Sequence, residues 1–405
     1  MFLQGPGRSP SSAAILATAP LDVLFWLFIA CAVYAYAGYP LLLLAASLVV
    51  PARKSPLLSQ SPDHTPRVSV VVAAYNEAAV LEGRVQNLRS LRFPADRIDF
   101  LVGSDGSTDR TAAIAASVPD SRFRVVDMSR RAGKTALLNA MVSLSTADVL
   151  VFTDANSEFA PDALQYLVAP FADPSIGCVI GQLVYLNRCE PGVRAGEGLY
   201  WRFENAIKEM ESRFGGTLVA TGAIYALRRS IWQPLPAGIS DDSVTPLLAL
   251  KAGYRVVVEP NARAFERAAS DLSEEFGRKA RMVTRQLGAH RHVGYFLKPF
   301  RPMLAFRLAS HKLMRWLVPF FLLGALVTNL FLLDQPFYQA TFAFAGLGAI
   351  AFLAGNAALK RAVAVPAALR LWVYFCTVNA AAFTGVIDFL RGRHRAMWAV
   401  SASTR

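Results

Sequence analysis

The chain has 405 residues, 54% of them hydrophobic and only 18% charged, with a formal net charge of +13. A single water-soluble domain is normally less apolar and more charged, so the composition excludes one and favours a soluble domain joined to a membrane module. The basic balance admits a nucleic-acid partner. No recognised nucleic-acid module or basic arm is present, however, so anionic lipid headgroups and an anionic substrate account for the charge instead.

Residues 1–20 read as a tail. Residues 21–50 follow with a single charge, Asp22. A bilayer core takes ~20 apolar residues in helical form. This run is too long for a signal peptide and reads as a retained transmembrane anchor. Arg53, Lys54 and Arg67 come next. The preference of basic residues for the cytoplasmic side puts the middle of the chain there. Four cysteines, Cys31, Cys178, Cys189 and Cys376, form no CxxC pair. Neither a zinc site nor a disulfide framework follows.

From residue 66 to 265, strand and helix signals alternate. Val68–Ala73 reads as a buried strand and Glu77–Leu91 as a helix with apolar residues at helical spacing. Ile98–Gly103, Arg124–Asp127 and Val149–Thr153 read as further strands, with helices from near Asp109 and over Gly133–Ser145. The pattern predicts an α/β domain with a mostly parallel sheet covered on both faces. Ligands of such sheets bind at the carboxyl ends of the strands. The polar residues stand there: Ala74-Tyr75-Asn76-Glu77 after the first strand, Ser104-Asp105-Gly106-Ser107-Thr108-Asp109 after the second, and Asp154-Ala155-Asn156 after the fourth. Each alone reads equally well as a helix cap or turn; three in register point to a site.

These motifs, in this order, resemble the nucleotide-diphospho-sugar transferase (GT-A, Rossmann-like) fold of glycosyltransferase family 2. The similarity is to its membrane-integrated branch, with cellulose, chitin and hyaluronan synthases, and covers roughly residues 66–320. The resemblance implies that Ala74, Tyr75 and Glu77 cup the nucleotide base and ribose, that Asp105 contacts the base and that Lys134 approaches the nucleotide. Asp109 reads as a first-turn helix residue. Asp154-Ala155-Asn156 stands in the place of a DxD metal motif, which implies Mg²⁺ or Mn²⁺ held by Asp154, with Asn156 offering an uncharged amide oxygen. Ser240-Asp241-Asp242 resembles the family's acidic pair and implies Asp242 as catalytic base, beside Asp241. The rival reading of that pair is a helix cap before Pro246.

Glu275–His290 carries an apolar stripe at Phe276, Ala280, Val283 and Leu287 opposite Arg278, Arg281 and Arg285. An amphipathic helix with a solvated basic face explains the stripe. The resemblance adds a partial QxxRW match at Arg278-Lys-Ala-Arg281-Met282, implying diphosphate contact by Arg281 beside Arg278 and Arg285. The Trp of that motif is Met282 here, which weakens a processive reading. Trp201 is a candidate for sugar stacking, with core packing as its alternative. His311-Lys312-Leu-Met-Arg315-Trp316 reads as anchoring at the entry to a membrane helix.

Residues 266–312 read as interface helices and 313–390 as transmembrane or interfacial helices, in which Leu317–Leu333 and Ala340–Leu359 have spanning length. Ala362–Leu390 is interrupted by Arg370 and Asp388. A full span there would put Arg391, Arg393 and Arg395 of the 391–405 tail outside, against the charge rule, so an interfacial, re-entrant or spanning last helix stays open. The sequence thus predicts a multi-pass protein of the cell (inner) membrane with a cytoplasmic catalytic domain. Its expected activity is inverting transfer from a nucleotide-sugar, UDP-linked by resemblance, to a glycan or lipid-linked acceptor in cell-surface polysaccharide synthesis. Export through an oligomer or partner protein is left open. The rival from another class is a catalytically inactive sugar-nucleotide sensor or scaffold subunit.

Overall fold

A computed structural model describes residues 12–50, 65–186, 193–267, 272–294, 302–361, 363 and 365–393. Arg53, Lys54, Cys189 and Arg395 lie outside them. In chain order the elements are α1 (Ser12–Val33), a π-helical turn (Tyr34–Gly38), α2 (Tyr39–Val49), β1 (Val68–Ala74), α3 (Ala78–Arg89), β2 (Ile98–Ser104), α4 (Thr111–Ala116), β3 (Phe123–Asp127), α5 (Lys134–Ser143) and β4 (Val149–Asp154). There follow β5 (Glu158–Phe159), α6 (Ala163–Val168), β6 (Ile176–Tyr185), α7 (Val193–Arg213), β7 (Tyr225–Arg228), α8 (Asp241–Lys251), β8 (Arg255–Glu266) and α9 (Leu272–Val293). The chain then continues through α10 (Pro302–Arg307), α11 (Met314–Leu330), α12 (Pro336–Lys360) and α13 (Ala367–Leu390).

The β-branched runs build one sheet of eight strands in the order β3-β2-β1-β4-β7-β6-β8-β5. Strands β1 to β4 are mutually parallel where they pair, and β6 and β8 are parallel, but β7 runs antiparallel to both β4 and β6. The sheet is therefore mixed. Val70, Val72, Phe100 and Val151 fill one face and Val71, Leu101, Leu150 and Phe152 the other, all buried. Burial on both faces explains why these strands read as continuous apolar runs. Register decides where the loops emerge: Ala73 pairs with Asp154, Ala74 with Ser104, and Ser104 with Asp127. Four strand ends thus open on one edge.

Among the described residues, four helical segments are long and apolar enough to cross a membrane: Pro20–Val49, Pro302–Leu330, Pro336–Lys360 and Ala367–Leu390. Their outward faces expose Leu24, Trp26, Leu323, Phe344, Leu347 and Ile350, a surface suited to lipid rather than water. The four differ in how they pack. Helices α11 and α12 form a hairpin, Asn329 Nδ2 donating to Thr341 Oγ1 at 2.7 Å beside the turn. The start of α11 and the end of α12 therefore share one end of the hairpin. The start of α13 meets α12 from its midpoint toward that end, Trp372 donating to the Gly348 carbonyl at 2.8 Å, and the last turns of α13 meet the start of α11. Leu369 and Val373 crowd Gly355 near the end of α12, and Ala382 and Val386 cluster with Trp316 at the start of α11. Between them α13 runs along α9. Tyr374 donates to Glu275 at 3.1 Å, Thr284 donates to the Gly385 carbonyl at 3.0 Å, and a Cβ on Gly385 would stand 2.6 Å from the Ala280 carbonyl. The apolar stripe of α9, read from its periodicity, is the face that receives α13.

Candidate active site

The loops on the sheet edge are tied to one another before any ligand is considered. Asn76 sits at φ 51°, in the left-handed region that its short amide tolerates, and its Oδ1 accepts from the Thr108 backbone at 2.8 Å. Asp109 accepts from the backbone of Ala78 at 3.1 Å and of Thr111 at 3.0 Å, joining the starts of α3 and α4. It precedes Arg110 at the N-cap and so stands outside the first turn of α4, where the sequence reading put it. Asp105 is fully buried and accepts from the amides of Ala132 (2.7 Å) and Gly133 (3.0 Å). Gly106, at φ 62°, approaches the next loop so closely that a Cβ would lie 2.5 Å from Arg131 N. The Arg131 guanidinium stacks on Tyr75 at 3.9 Å. Ala74 is buried at the end of β1. Ala74, Tyr75 and Asp105 therefore shape the loops ahead of α5, and in this geometry Asp105 holds the Arg130–Gly133 turn.

That turn delivers Lys134. Its Nζ donates to Asp154 Oδ1 at 2.8 Å and lies 3.3 Å from Asp241 Oδ1. Burial opposes its charge, but the carboxylates of Asp154 and Asp241 outweigh burial and hold the ammonium protonated, well above its ordinary value. Asp241 and Asp242 open the first turn of α8, where the helix dipole favours negative charge. Ser240 holds the N-cap position of α8 without a capping side-chain bond, so the acidic pair follows the cap rather than forming it, and both acids line the site. Asp241 accepts from Tyr225 Oη at 2.8 Å. Asp242 accepts from the Ser240 and Ser243 hydroxyls, the latter at 3.2 Å. Burial and the neighbouring Asp241 raise its pKa above the usual carboxylate range.

Gly222 closes the space between the acids. A Cβ there would stand 3.1 Å from Asp154 Oδ2 and 3.5 Å from Asp242 Oδ2. The cavity over this point is about 320 Å³ and is lined by Glu77, Lys134, Asp154, Asn156, Asp241 and Asp242 on the sheet side. Trp201, Arg278, Arg281 and Arg285 line it from α7 and α9. Ten of the thirteen residues singled out from sequence as site residues therefore share one cavity, and Ala74, Tyr75 and Asp105 stand behind it. The arginine stripe does not face solvent alone: Arg278 pairs with Glu275 and donates to Tyr185 Oη at 3.0 Å, and Arg281 and Arg285 also line a second cavity, of about 570 Å³, beside α8 and α13.

Several cavity residues carried no sequence signal. Lys208 is buried and donates to Thr221 at 3.3 Å; burial lowers its pKa to about 8. Glu266 ends β8 and bonds Ser157, and burial together with Asp154 pushes it up to about 7. The anchoring reading of residues 311–316 needs correction. His311, Lys312 and Arg315 are buried: His311 Nδ1 lies 2.8 Å from Glu211, and Glu204 receives Lys312 at 2.5 Å and Arg315 at 2.6 Å. Acids on α7 neutralise these cations, so they leave the lipid surface, and Lys312, Arg315 and Trp316 turn toward the cavity.

A hard divalent ion takes oxygen ligands, and Mg²⁺ is commonly held by one or two carboxylates plus substrate phosphates. Among the described residues no group of three or more His, Cys, Asp or Glu side chains stands ready to hold a metal. Asp154, with the Asn156 amide in the same lining, suits an ion that needs phosphate oxygens to complete its shell.

Residues 69–234 match the family described as Glycosyl transferase family 2. An N-acetylglucosaminyltransferase of Mesorhizobium japonicum is 28% identical over 216 residues, 49% of this chain and 51% of that protein. A Beta-monoglucosyldiacylglycerol synthase of Synechocystis sp. is 28% identical over 237 residues, 56% and 48% of the two chains. The chain spans about half the length of these curated relatives. The mannosyltransferase PcManGT of Pyrobaculum calidifontis, solved in complex with GDP-Man and Mn²⁺, matches with TM-score 0.67 and 25% identity over 91% of this chain and 99% of that one. Residues 69–234 are thus a glycosyltransferase family 2 domain with a GT-A fold, carried on membrane-type helices.

Proposed function

We propose that the protein is an inverting glycosyltransferase that moves a sugar from a nucleoside-diphosphate sugar to an acceptor in cell-surface polysaccharide or glycolipid synthesis. The observation that carries this is the convergence of Asp154 and Asp242 on Gly222 beside the Lys134 ammonium. Glu77 and the loops braced by Asp105 and Tyr75 receive the nucleotide, for which UDP is the resemblance's expectation; the structural neighbour was solved with GDP-Man. A bound Mg²⁺ or Mn²⁺, held by Asp154 with Asn156, would neutralise the leaving diphosphate. Lys134, Arg281 and Arg285 supply fixed positive charge to the same group. Asp242 takes the proton of the acceptor hydroxyl as its oxygen attacks the anomeric carbon. The bond from that carbon to the diphosphate breaks, its electron pair leaving with the diphosphate. One displacement from an α-linked donor inverts to a β-linkage. Asp241, engaged by Tyr225 and Lys134, is a positioning residue that keeps Asp242 hard to ionise.

The catalytic domain lies on the cytoplasmic side in this reading, with α1, α11 and α12 crossing and α13 lying in the plane of the inner surface. The support is that α13 crosses α12 between Gly348 and Gly355 and reaches the start of α11 with its last turns. Arg391 and Arg393 then remain inside, as the charge rule requires.

The test is turnover of UDP- and GDP-sugars by the full chain in lipid nanodiscs, with Mg²⁺, Mn²⁺ or chelator. Nucleoside-diphosphate release that needs the metal supports the reading. Donor binding without release under every condition favours the inactive sensor.

A further inference from the structure

The cavity that holds Asp242 does not end at the catalytic domain. Its lining continues through Tyr200, Trp201 and Lys208 to Tyr36 in the π-helical turn after α1, Trp316 at the start of α11, and Val378, Asn379 and Ala382 on α13. A cavity wholly serving soluble substrates has no need of side chains from three membrane-type helices. Carboxylates and Lys134 stand at the sheet edge, then the Tyr200 and Trp201 rings among Lys208, Lys279, Lys312 and Arg315, then Val378, Asn379 and Ala382 on α13.

The wall is thin at one place. Helix α1 packs along α11, and α13 packs along α9 and α11, while α1 and α13 approach one another only slightly. Tyr36 bridges them. Its hydroxyl lies 3.2 Å from Asn379 Nδ2, and its ring stands 5.4 Å from that of Phe375. The π-helical turn at Tyr34–Gly38 interrupts the first membrane helix at this level, a feature that often marks a functional position. Just inside stands Trp201, 9% exposed, whose indole Nε1 is buried without a hydrogen-bond partner. A buried donor of this kind costs free energy unless an acceptor group arrives.

We propose, on the basis of the glycosyltransferase reading, that the acceptor is a hydroxyl-headed membrane lipid that enters the cavity sideways between α1 and α13, across the Tyr36–Asn379 contact. The lipid's chains stay in the bilayer. Its headgroup passes the Tyr200 and Trp201 rings, with Trp201 Nε1 donating to a headgroup oxygen, and its hydroxyl reaches Asp242. The hydroxyl proton goes to Asp242, the oxygen bonds to the anomeric carbon of the donor, and the nucleoside diphosphate leaves with the electron pair.

The experiment uses the full chain in nanodiscs with radiolabelled UDP-GlcNAc, UDP-Glc and GDP-Man, offered in parallel with diacylglycerol, polyprenyl phosphate, soluble chito-oligosaccharide or no acceptor. Label extracted into organic solvent with diacylglycerol supports the proposal; label with polyprenyl phosphate alone, whose anionic phosphate oxygen has no hydroxyl proton to give Asp242, overturns the hydroxyl headgroup. Label transferred only to soluble oligosaccharide, or polymer grown from donor alone, overturns it while leaving the glycosyltransferase reading intact. No turnover in any arm, hydrolysis included, overturns both. In the productive arm Asn379→Trp, which narrows the entry, raises the KM for lipid about ten-fold more than the KM for donor. Equal effects on both substrates would contradict lateral entry.

Discussion

Lys134 Nζ sits 2.8 Å from Asp154 and 3.3 Å from Asp241, so one ammonium bridges two carboxylates brought together from the ends of β4 and the start of α8. Replacing it by methionine removes that bridge and the positive charge facing the donor. Lys134→Met is expected to weaken nucleotide-sugar binding and to lower kcat/KM by a factor of about 100 or more, as lost charge stabilisation of a transition state does. Isothermal titration with UDP and GDP, beside steady-state rates, checks this.

Gly222 offers a sharper probe. Gly222→Ala places a methyl group 3.1 Å from Asp154 Oδ2 and 3.5 Å from Asp242 Oδ2. Activity should fall at least ten-fold while thermal stability changes by less than about 1 kcal/mol, since the methyl enters a cavity and not the packed core. Paired melting and turnover curves test the prediction, and a large loss of stability would contradict it.

The ion cluster beneath the cavity makes the opposite prediction. Glu204→Gln leaves Lys312 and Arg315 buried without their counter-charge. Removing one partner of a buried pair typically costs about 3–5 kcal/mol. Reduced unfolding temperature in detergent should accompany a loss of activity, with a milder loss for Glu204→Asp.

Two carboxylates predict pH behaviour of different kinds. As the proposed base, Asp242 acts only when ionised, and burial beside Asp241 raises its pKa. The rate should therefore rise with pH through a midpoint above the usual aspartate value. Glu266 concerns stability. Its ordinary value is 4.5 and burial raises it to about 7. The folded state favours its neutral form, so this contribution is full below about 4.5 and is lost as pH rises through about 7, amounting to at most about 3 kcal/mol. Glu266→Gln should flatten stability across that window in denaturant titrations.

Much of the catalytic domain was legible in sequence because β-branched runs alternate with helical periodicity and because polar residues gather after the strands. Strands predicted at Ile98–Gly103 and Val149–Thr153 end one residue later, at Ser104 and Asp154. The antiparallel β7 was not legible as such, since Tyr225–Arg228 is buried in the sheet like its parallel neighbours and direction leaves no mark on composition. Lys208 and Glu266 escaped because nothing in their local pattern separates a cavity residue from a solvated one. Arg315 misled for a physical reason: a cation at a membrane-helix start usually meets headgroups, and only the fold brings Glu204 to it. The orientation of α13 also lay beyond sequence, because length and hydropathy say nothing of which neighbours its two ends meet.

That orientation is measurable. With α13 in the plane of the inner surface, Gly392→Cys should react with an impermeant maleimide in inverted vesicles and not in intact cells; labelling in intact cells would make α13 a full span.

The most direct measurement compares Asp242→Asn with the unaltered chain in nanodiscs, scoring nucleoside-diphosphate release and donor affinity together. The account predicts release reduced by about 100-fold or more, with donor affinity within a few-fold of the original. Release that survives the substitution would contradict Asp242 as the base, and with it the assignment of this cavity as the place of glycosyl transfer.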